Sequence, residues 1–271
     1  MKLILKRTIS GLVFVGVLIF CILFSKISFI VIFFISMLFC LYEFKKMIQL
    51  TSIFPYIIGI LFFIFGNILN LEDLPSRVIF EYVGVMLFLT IFITFASILF
   101  AKKEEVVSHL GKIFLSVIYI VVPFTLIVQI PFLNASFNYI NTTILGVFIL
   151  IWTNDTFAFL VGKNIGKHKL LERISPNKTI EGFIGGMIFT FIVSFILAYQ
   201  FTSLTLKQWI IIAGIVSIFG VLGDLIESMF KRQAGVKDSS NFIPGHGGFL
   251  DRFDSVIFAA PFIFIYLQLV Q

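Results

Sequence analysis

Residues 223–254 read G-D-L-I-E-S-M-F-K-R-Q-A-G-V-K-D-S-S-N-F-I-P-G-H-G-G-F-L-D-R-F-D and lie between two apolar runs, Trp209–Leu222 and Val256–Val270. This segment holds five of the fourteen carboxylates of the chain, four of its twenty lysines and arginines, and one of its three histidines. So much charge beside long apolar runs indicates a polar loop at the ends of two membrane helices, where functional groups are expected.

The composition of the chain excludes an ordinary water-soluble domain. Of its 271 residues, 59% are hydrophobic, only 13% are charged and 37 are phenylalanine, whereas a soluble domain needs a polar surface around its core. In lipid, each segment must pair its own backbone polar groups, which favours helices. We therefore predict an all-α, polytopic integral membrane protein. The net charge of +6 is typical of basic membrane loops, and we expect no nucleic-acid partner.

Apolar segments of the length that crosses a bilayer predict about nine transmembrane helices. The first two are separated only by Ser25 and Lys26, which predicts a tight helical hairpin. The start of the chain resembles a signal peptide, but it lacks a small-residue cleavage site and a second apolar run follows at once, so we expect a retained helix. The segments are 8–24, 27–43, 53–69, 78–100, 113–133, 143–162, 182–200, 208–228 and 255–270.

The distribution of basic residues predicts the orientation of these helices. With nine helices, the N-terminus and the loops alternate between two sides, and one side receives seventeen of the twenty lysines and arginines. The other side receives only Lys26, Arg77 and Lys207. Because basic loops stay on the cytoplasmic side, we predict a cytoplasmic N-terminus.

The two halves of the chain differ in chemistry, since eight of the fourteen carboxylates follow residue 150. We predict an N-terminal transmembrane bundle of helices 1–5 in residues 1–133. We predict a C-terminal catalytic transmembrane region of helices 6–9 in residues 134–271, with cytoplasmic loops 163–181 and 229–254.

Asp155 lies inside an apolar segment, where a carboxylate costs at least ~2–3 kcal/mol unless it is paired or hydrated. Asp155 either makes a helix–helix hydrogen bond or lines a polar active-site cavity, and we favour the cavity. The nearby Gly162-Lys-Asn-Ile-Gly-Lys-His168 is one residue too short for a phosphate-binding P-loop, and His168 replaces its Ser or Thr. We reject the P-loop, although the glycines and lysines here would suit a phosphate.

The stretch Ser175-Pro-Asn-Lys-Thr-Ile-Glu-Gly182 predicts the start of a helix, with Ser175 as N-cap and Pro176 as its first residue. Lys178 and Thr179 would then lie in the first turn, beside free backbone N–H groups that attract anions. The segment either only caps the helix or also binds a phosphate, and we favour phosphate binding.

Two pairs of acids flank the loop at 229–254. Asp224, Glu227 and Ser228 have the spacing of one helix face, and Asp251 and Asp254 have the same spacing at the start of the last helix. Four carboxylates from two helix ends can hold a divalent cation that prefers oxygen ligands, such as Mg²⁺. The alternative is that the acids only neutralise the nearby basic residues Lys231, Arg232, Lys237 and Arg252.

Between the acid pairs lies Pro244-Gly-His-Gly-Gly248, whose glycines allow positive φ angles and close approach of a ligand to the backbone. His246 could be a ligand, a base or a hydrogen-bonding side chain, and the sequence leaves all three open.

These motifs resemble those of the phosphatidate cytidylyltransferase family, also called CDP-diacylglycerol synthases. The resemblance is detailed over about residues 150–255. Phe157, where a small residue is expected, and Phe159, where Tyr is usual, depart from it. The matching stretches are Asp155-Thr-Phe-Ala, Gly166-Lys-His-Lys-Leu, Ser175-Pro-Asn-Lys-Thr-Ile-Glu-Gly182, Ser228-Met-Phe-Lys231-Arg232, Lys237-Asp238-Ser239 and Pro244-Gly-His-Gly-Gly-Phe-Leu-Asp251-Arg252-Phe-Asp254.

The resemblance implies that CTP and phosphatidate give CDP-diacylglycerol and pyrophosphate. It implies Mg²⁺ bound by Asp224 and Asp251, with a second metal or a monovalent cation left open, and catalytic roles for these two acids, Lys231 and Arg232. We expect the bacterial inner membrane, with the site facing the cytoplasm; a homodimer is left open. Substrate-binding roles are expected of Asp155, Ser175, Lys178, Thr179, Lys237, Asp238, His246, Gly247, Arg252 and Asp254.

Two other classes of function are alternatives to cytidylyl transfer to phosphatidate. A transporter would place acids near the middle of the membrane in both halves and would show internal symmetry, whereas the acids here cluster in one half. A kinase or cytidylyltransferase acting on another lipid or an isoprenoid is a nearer alternative, and the sequence does not separate the acyl from the prenyl substrate.

Overall fold

The structure is a computed structural model that describes residues 2–71, 85, 88–96, 106–134, 138–243, 245 and 247–270, with the backbone alone for 2–7 and 67–71. The described residues form helices and one small antiparallel sheet. The helices are α1 (Lys2–Phe24), α2 (Lys26–Met47), α3 (Phe54–Leu71), α4 (88–96), α5 (Val106–Phe132), α6 (Asn141–Ile165), α7 (Ile180–Gln200), α8 (Leu206–Gln233) and α9 (Leu250–Leu269), and the strands are β1 (Lys169–Leu171) and β2 (Ser175–Thr179).

The predicted helical membrane class is confirmed. Within the described ranges, the predicted apolar segments are helical except at a few of their end residues. Five of the described helices, α2, α5, α6, α7 and α8, are long and apolar enough to cross a membrane. The number of nine transmembrane helices and the cytoplasmic N-terminus stay predictions.

The predicted start of a helix at Ser175 is wrong. Residues Ser175–Thr179 form β2, which pairs with β1 so that Lys169 lies opposite Thr179. Helix α7 begins directly after this strand, and its N-cap is Thr179, whose hydroxyl accepts a hydrogen bond from the Gly182 N–H at 3.1 Å. Both Ser175 and Thr179 are good capping residues, and the pairing with β1 extends the backbone up to the second of them.

The first of two compact units comprises the chain up to Tyr139 together with Asp238–Leu250. Its helices α1 and α2 form the predicted hairpin, joined by Ser25 alone. The Ser25 hydroxyl accepts from the Ser28 N–H, and the Ser28 hydroxyl accepts from the Ser25 N–H, both at 3.1 Å. This reciprocal capping box satisfies N–H groups at the start of α2.

Glu43, near the end of α2, anchors the segment that precedes α9. Its side chain is completely buried. It accepts hydrogen bonds from the hydroxyls of Ser239 at 2.8 Å and Ser240 at 2.5 Å. It also accepts from the backbone N–H groups of Phe249 at 3.0 Å and Leu250 at 2.8 Å. One carboxylate therefore holds both ends of a loop and satisfies N–H groups at the start of a helix.

We expect Glu43→Ala to lower the free energy of unfolding by at least ~2 kcal/mol, because each buried donor left without an acceptor costs ~1–3 kcal/mol. Thermal unfolding of the detergent-purified protein measures the loss, and limited proteolysis should cut residues 239–249 faster. The control is Glu172→Ala, which removes an exposed acid. Stability and proteolysis like those of the control would contradict an anchoring role.

The second compact unit comprises Ile140–Lys237 and Asp251–Val270. Helices α6 and α7 approach closely because α7 presents glycines. A Cβ atom at Gly182 would lie 2.6 Å from the Ala158 carbonyl oxygen, and one at Gly186 would lie 2.8 Å from that of Asn154. Small residues permit such contacts between membrane helices. This contact lies beside Asp155 and holds α6 against α7.

Helices α8 and α9 also approach closely, at Gly223. A Cβ atom there would collide with the backbone of Asp254 and lie 2.7 Å from the Phe258 Cβ. A π-helical turn at Val216–Gly220 precedes this contact, and its wider turn changes the face on which the following side chains lie. The contact places Asp224 of α8 beside the first turn of α9.

Candidate active site

A cavity of about 630 Å³ lies in the second unit, lined by side chains of both charges and by apolar side chains. Helices α6, α7, α8 and α9 and strand β2 all contribute to its wall. Its charged lining residues are Asp155, Lys163, Lys178, Asp224, Asp251, Arg252 and Asp254.

The cavity brings together most of the site residues predicted from the sequence, which come from stretches up to about a hundred residues apart. They belong to α6, β2, α8 and α9, so neighbouring elements of one unit assemble them. The eight predicted residues that line the cavity are Asp155, Ser175, Lys178, Thr179, Asp224, Asp251, Arg252 and Asp254.

Other predicted residues are not among those that line this cavity. The Arg232 Nε donates to a backbone carbonyl of the β1–β2 turn at 3.4 Å, and Lys237 is exposed. Asp238, also exposed, and Gly247, with a φ of 80°, belong to the first unit. His246 lies outside the described residues. The roles assigned to these five stay predictions.

Three acids form a cluster at the α8–α9 contact. One carboxylate oxygen each of Asp224, Glu227 and Asp254 lies within 4.8 Å of the other two. A Mg²⁺ ion binds oxygen at ~2.0–2.1 Å, so ligands on opposite sides of it are ~4.2 Å apart. The cluster therefore fits a divalent cation after a small contraction. Of the two predicted metal ligands, Asp224 belongs to this cluster, and the ligand role of Asp251 stays a prediction.

Lys178 and Ser228 hold the Asp224 carboxylate from two sides. The Lys178 Nζ lies 2.5 Å from Asp224 Oδ2, and the Ser228 hydroxyl donates to Oδ1 at 3.3 Å. Because Lys178 is in β2, the small sheet determines where this cation meets the acids. The lysine lies in a strand and not in the first turn of a helix as predicted, and its phosphate-binding role stays a prediction.

Lys231 connects α8 to α9 through a buried ion-pair network. Its Nζ contacts Glu227 Oε2 one helical turn earlier and lies 2.7 Å from Asp251 Oδ1. The side chains are 12%, 0% and 8% exposed for Lys231, Glu227 and Asp251. The alternative that basic residues neutralise these acids thus holds for this lysine, whose partner Glu227 also belongs to the three-acid cluster.

The turn between α6 and β1 is held by Glu181, to which the sequence motifs assigned no role. Its carboxylate accepts from the Lys167 N–H at 3.0 Å and the His168 N–H at 3.2 Å, and lies 2.6 Å from His168 Nδ1. Because Glu181 occupies these N–H groups, they do not face a phosphate, which agrees with the rejection of a P-loop here. The sequence signal that could have identified Glu181 is its position in the first turn of a helix, where an acid is favoured by the helix dipole.

Comparison with known proteins places the chain among enzymes of nucleotide transfer. The model of the Cytidylyltransferase family matches residues 5–270. A protein of Bacillus subtilis (strain 168) named phosphatidate cytidylyltransferase is 35% identical over 97% of this chain and 97% of its own length.

Two staphylococcal proteins with the same name match a shorter part. The one from Staphylococcus aureus (strain COL) is 53% identical over 126 residues, which are 46% of this chain and 48% of that protein. The one from Staphylococcus haemolyticus (strain JCSC1435) is 46% identical over 150 residues, 52% of this chain and 57% of that protein. In these matches the chain spans about half the length of the relatives.

Proposed function

Because the chain belongs to the cytidylyltransferase family, we propose that it transfers the cytidylyl group of CTP to phosphatidate. The products are CDP-diacylglycerol, an intermediate of phospholipid biosynthesis, and pyrophosphate. The observation that carries the proposal is the cavity at the ends of apolar helices, where four aspartates and several cations line the same space. Such a site suits two phosphate-bearing substrates, of which one is a lipid.

The chemistry requires little acid–base catalysis. A phosphate monoester has its second pKa near ~6, so phosphatidate is mostly a dianion at neutral pH. Its phosphate oxygen attacks the α-phosphorus of CTP, a P–O bond forms, and the bond to the pyrophosphate leaving group breaks. Because both substrates are anionic, the protein must chiefly hold them together and offset their repulsion. This leaves His246 without a required role as a base.

The acid cluster is the proposed position of Mg²⁺. Asp224 is its central ligand in the proposal, Glu227 and Asp254 are supported by their mutual distances, and Asp251 is retained from the sequence prediction. When bound, Mg²⁺ neutralises charge on the phosphates of CTP and on the pyrophosphate leaving group. A second metal or a monovalent cation stays open.

The cations of the site are proposed to bind phosphate oxygens. Lys178 and Arg252 line the cavity, and Lys231 lies behind Asp251, whose carboxylate it orients. Arg232 and Lys237 stay proposed phosphate ligands. All residues that line the cavity fall between residues 155 and 254, which supports residues 134–271 as the catalytic region.

The chain is an integral membrane protein, and we propose that it crosses the bacterial inner membrane nine times with its site facing the cytoplasm. The seventeen-to-three division of basic residues supports this orientation. CTP is a cytoplasmic nucleotide, so a site on that side can meet it. A homodimer stays open.

The test is incorporation of [α-³²P]CTP into lipid by the purified protein with Mg²⁺. We expect labelled CDP-diacylglycerol with phosphatidate and at least tenfold less product with a prenyl phosphate. Preference for the prenyl phosphate would reassign the substrate to the isoprenoid class. A complete lack of labelled lipid with either acceptor would contradict cytidylyl transfer and leave the transporter alternative.

A further inference from the structure

Phe159 and Lys163 form a wall of the cavity to which the mechanism above gives no role. Both side chains line the cavity. Because they are four residues apart on α6, they lie on the same face, and Phe159 is ~6 Å further from the end of the helix. The Phe159 side chain is 66% exposed, and the Lys163 Nζ lies 5.9 Å from the centre of its ring.

Lys163 differs from Lys178 and Lys231 in whether an acidic side chain pairs with its ammonium. Lys178 is paired with Asp224, and Lys231 is paired with two acids. In the part of the chain that the structure describes, Lys163 has no carboxylate within ion-pair distance. Its charge is therefore available to an anionic ligand, which would not have to displace an internal partner.

The position of Lys163 on its helix is suited to the membrane interface. It lies in the last turn of α6, an apolar helix long enough to cross a bilayer. A lysine at such a helix end keeps its aliphatic stem along apolar surface and its ammonium at the interface. Phe159 lies one turn further into the apolar part of this helix.

We propose that Lys163 binds the phosphate of the lipid substrate and that Phe159 contacts the adjoining hydrocarbon of its chains. This assignment rests on the proposed function and adds to it the position of the lipid within the cavity. A phosphate monoester carries ~1.5–2 negative charges near neutral pH, and an ammonium forms strong, charge-assisted hydrogen bonds with it. The acid cluster and its metal would then face the nucleotide.

Steady-state kinetics of Lys163→Ala test the phosphate contact. We expect the KM for phosphatidate to rise about tenfold, the effect of one charge-assisted hydrogen bond, and the KM for CTP to stay within about twofold of wild type. Lys163→Arg should restore most of the affinity. Arg173→Ala, which removes an exposed cation that does not line the cavity, should match wild type. A rise confined to CTP, an equal rise for both substrates, or no rise would overturn the assignment.

Binding without catalysis separates this assignment from the proposed function. Dioctanoyl phosphatidate is titrated into wild type, Lys163→Ala and Phe159→Ala without CTP, with glycerol 3-phosphate as the chain-free ligand. We expect Lys163→Ala to weaken both ligands and Phe159→Ala to weaken only the lipid. Unchanged lipid binding in both variants overturns the assignment. Lipid binding that depends on both residues, in a protein that forms no CDP-lipid, overturns the proposed function alone.

Discussion

Asp251→Asn is expected to lower the kcat of CDP-diacylglycerol formation at least ~100-fold, the effect of losing one preorganised electrostatic group. The substitution keeps the shape of the side chain but removes its charge, which now offsets the Lys231 ammonium 2.7 Å away inside the protein. The same change would remove a proposed metal ligand. Single-turnover assays with labelled CTP, together with thermal unfolding in detergent, separate a loss of chemistry from a loss of fold.

The control is Glu172→Gln, which neutralises an exposed acid in the β1–β2 turn and should leave turnover unchanged. Titration with Mg²⁺ after treatment with EDTA distinguishes the two roles of Asp251. A variant that needs more Mg²⁺ supports the ligand role, whereas an unchanged requirement supports action through Lys231. Near wild-type turnover in the folded variant would remove Asp251 from the site.

Lys231→Met is expected to cause the largest loss of stability, about 3–5 kcal/mol, as is typical when one partner of a buried ion pair is removed. Methionine fills similar space, but Glu227 and Asp251 lose the cation between them. Glu227 is completely buried and the Asp251 side chain is only 8% exposed, so hydration compensates little for the lost contact. Thermal unfolding in detergent, in the presence of EDTA, measures the effect.

Lys207→Met is the matched control, because it removes an exposed lysine from the same helix and should change stability little. A second variant, Lys231→Met with Glu227→Gln, removes one of the stranded charges and should recover part of the loss. Equal stability of Lys231→Met and the control, or additive effects in the double variant, would argue against a buried network between α8 and α9.

The apolar runs were sufficient to predict the helices of the described chain, because a membrane requires long segments whose backbones pair internally. The spacing of Asp224 and Glu227 also predicted that they share one face. Helix α9 brings Asp254 to this face because the two helices approach closely at Gly223. This tertiary contact leaves no local signal in the sequence. The sequence therefore predicted two acid pairs that can hold one cation, whereas the grouping of Glu227 and Asp254 with Asp224 is visible only in the structure.

Other features depended on contacts that sequence spacing does not reveal. Both Ser175 and Thr179 suit the N-cap position. The pairing of β2 with β1 keeps the backbone extended past Ser175, so the helix begins after Thr179. Glu43 binds residues 196 to 207 positions away, so its role could not be read from the apolar segment that contains it. Lys178, predicted in the first turn of a helix, lies instead in the short strand just before α7, where its ammonium pairs with Asp224.

The most direct test of cytidylyl transfer is the fate of two labels in one reaction. Wild-type protein is incubated with phosphatidate, Mg²⁺ and CTP labelled with ³²P at either the α- or the γ-phosphate, and lipid and aqueous products are separated. We predict that the α-label enters the lipid and that the γ-label is recovered in pyrophosphate. Transfer of the γ-label to lipid would identify a kinase and contradict the account.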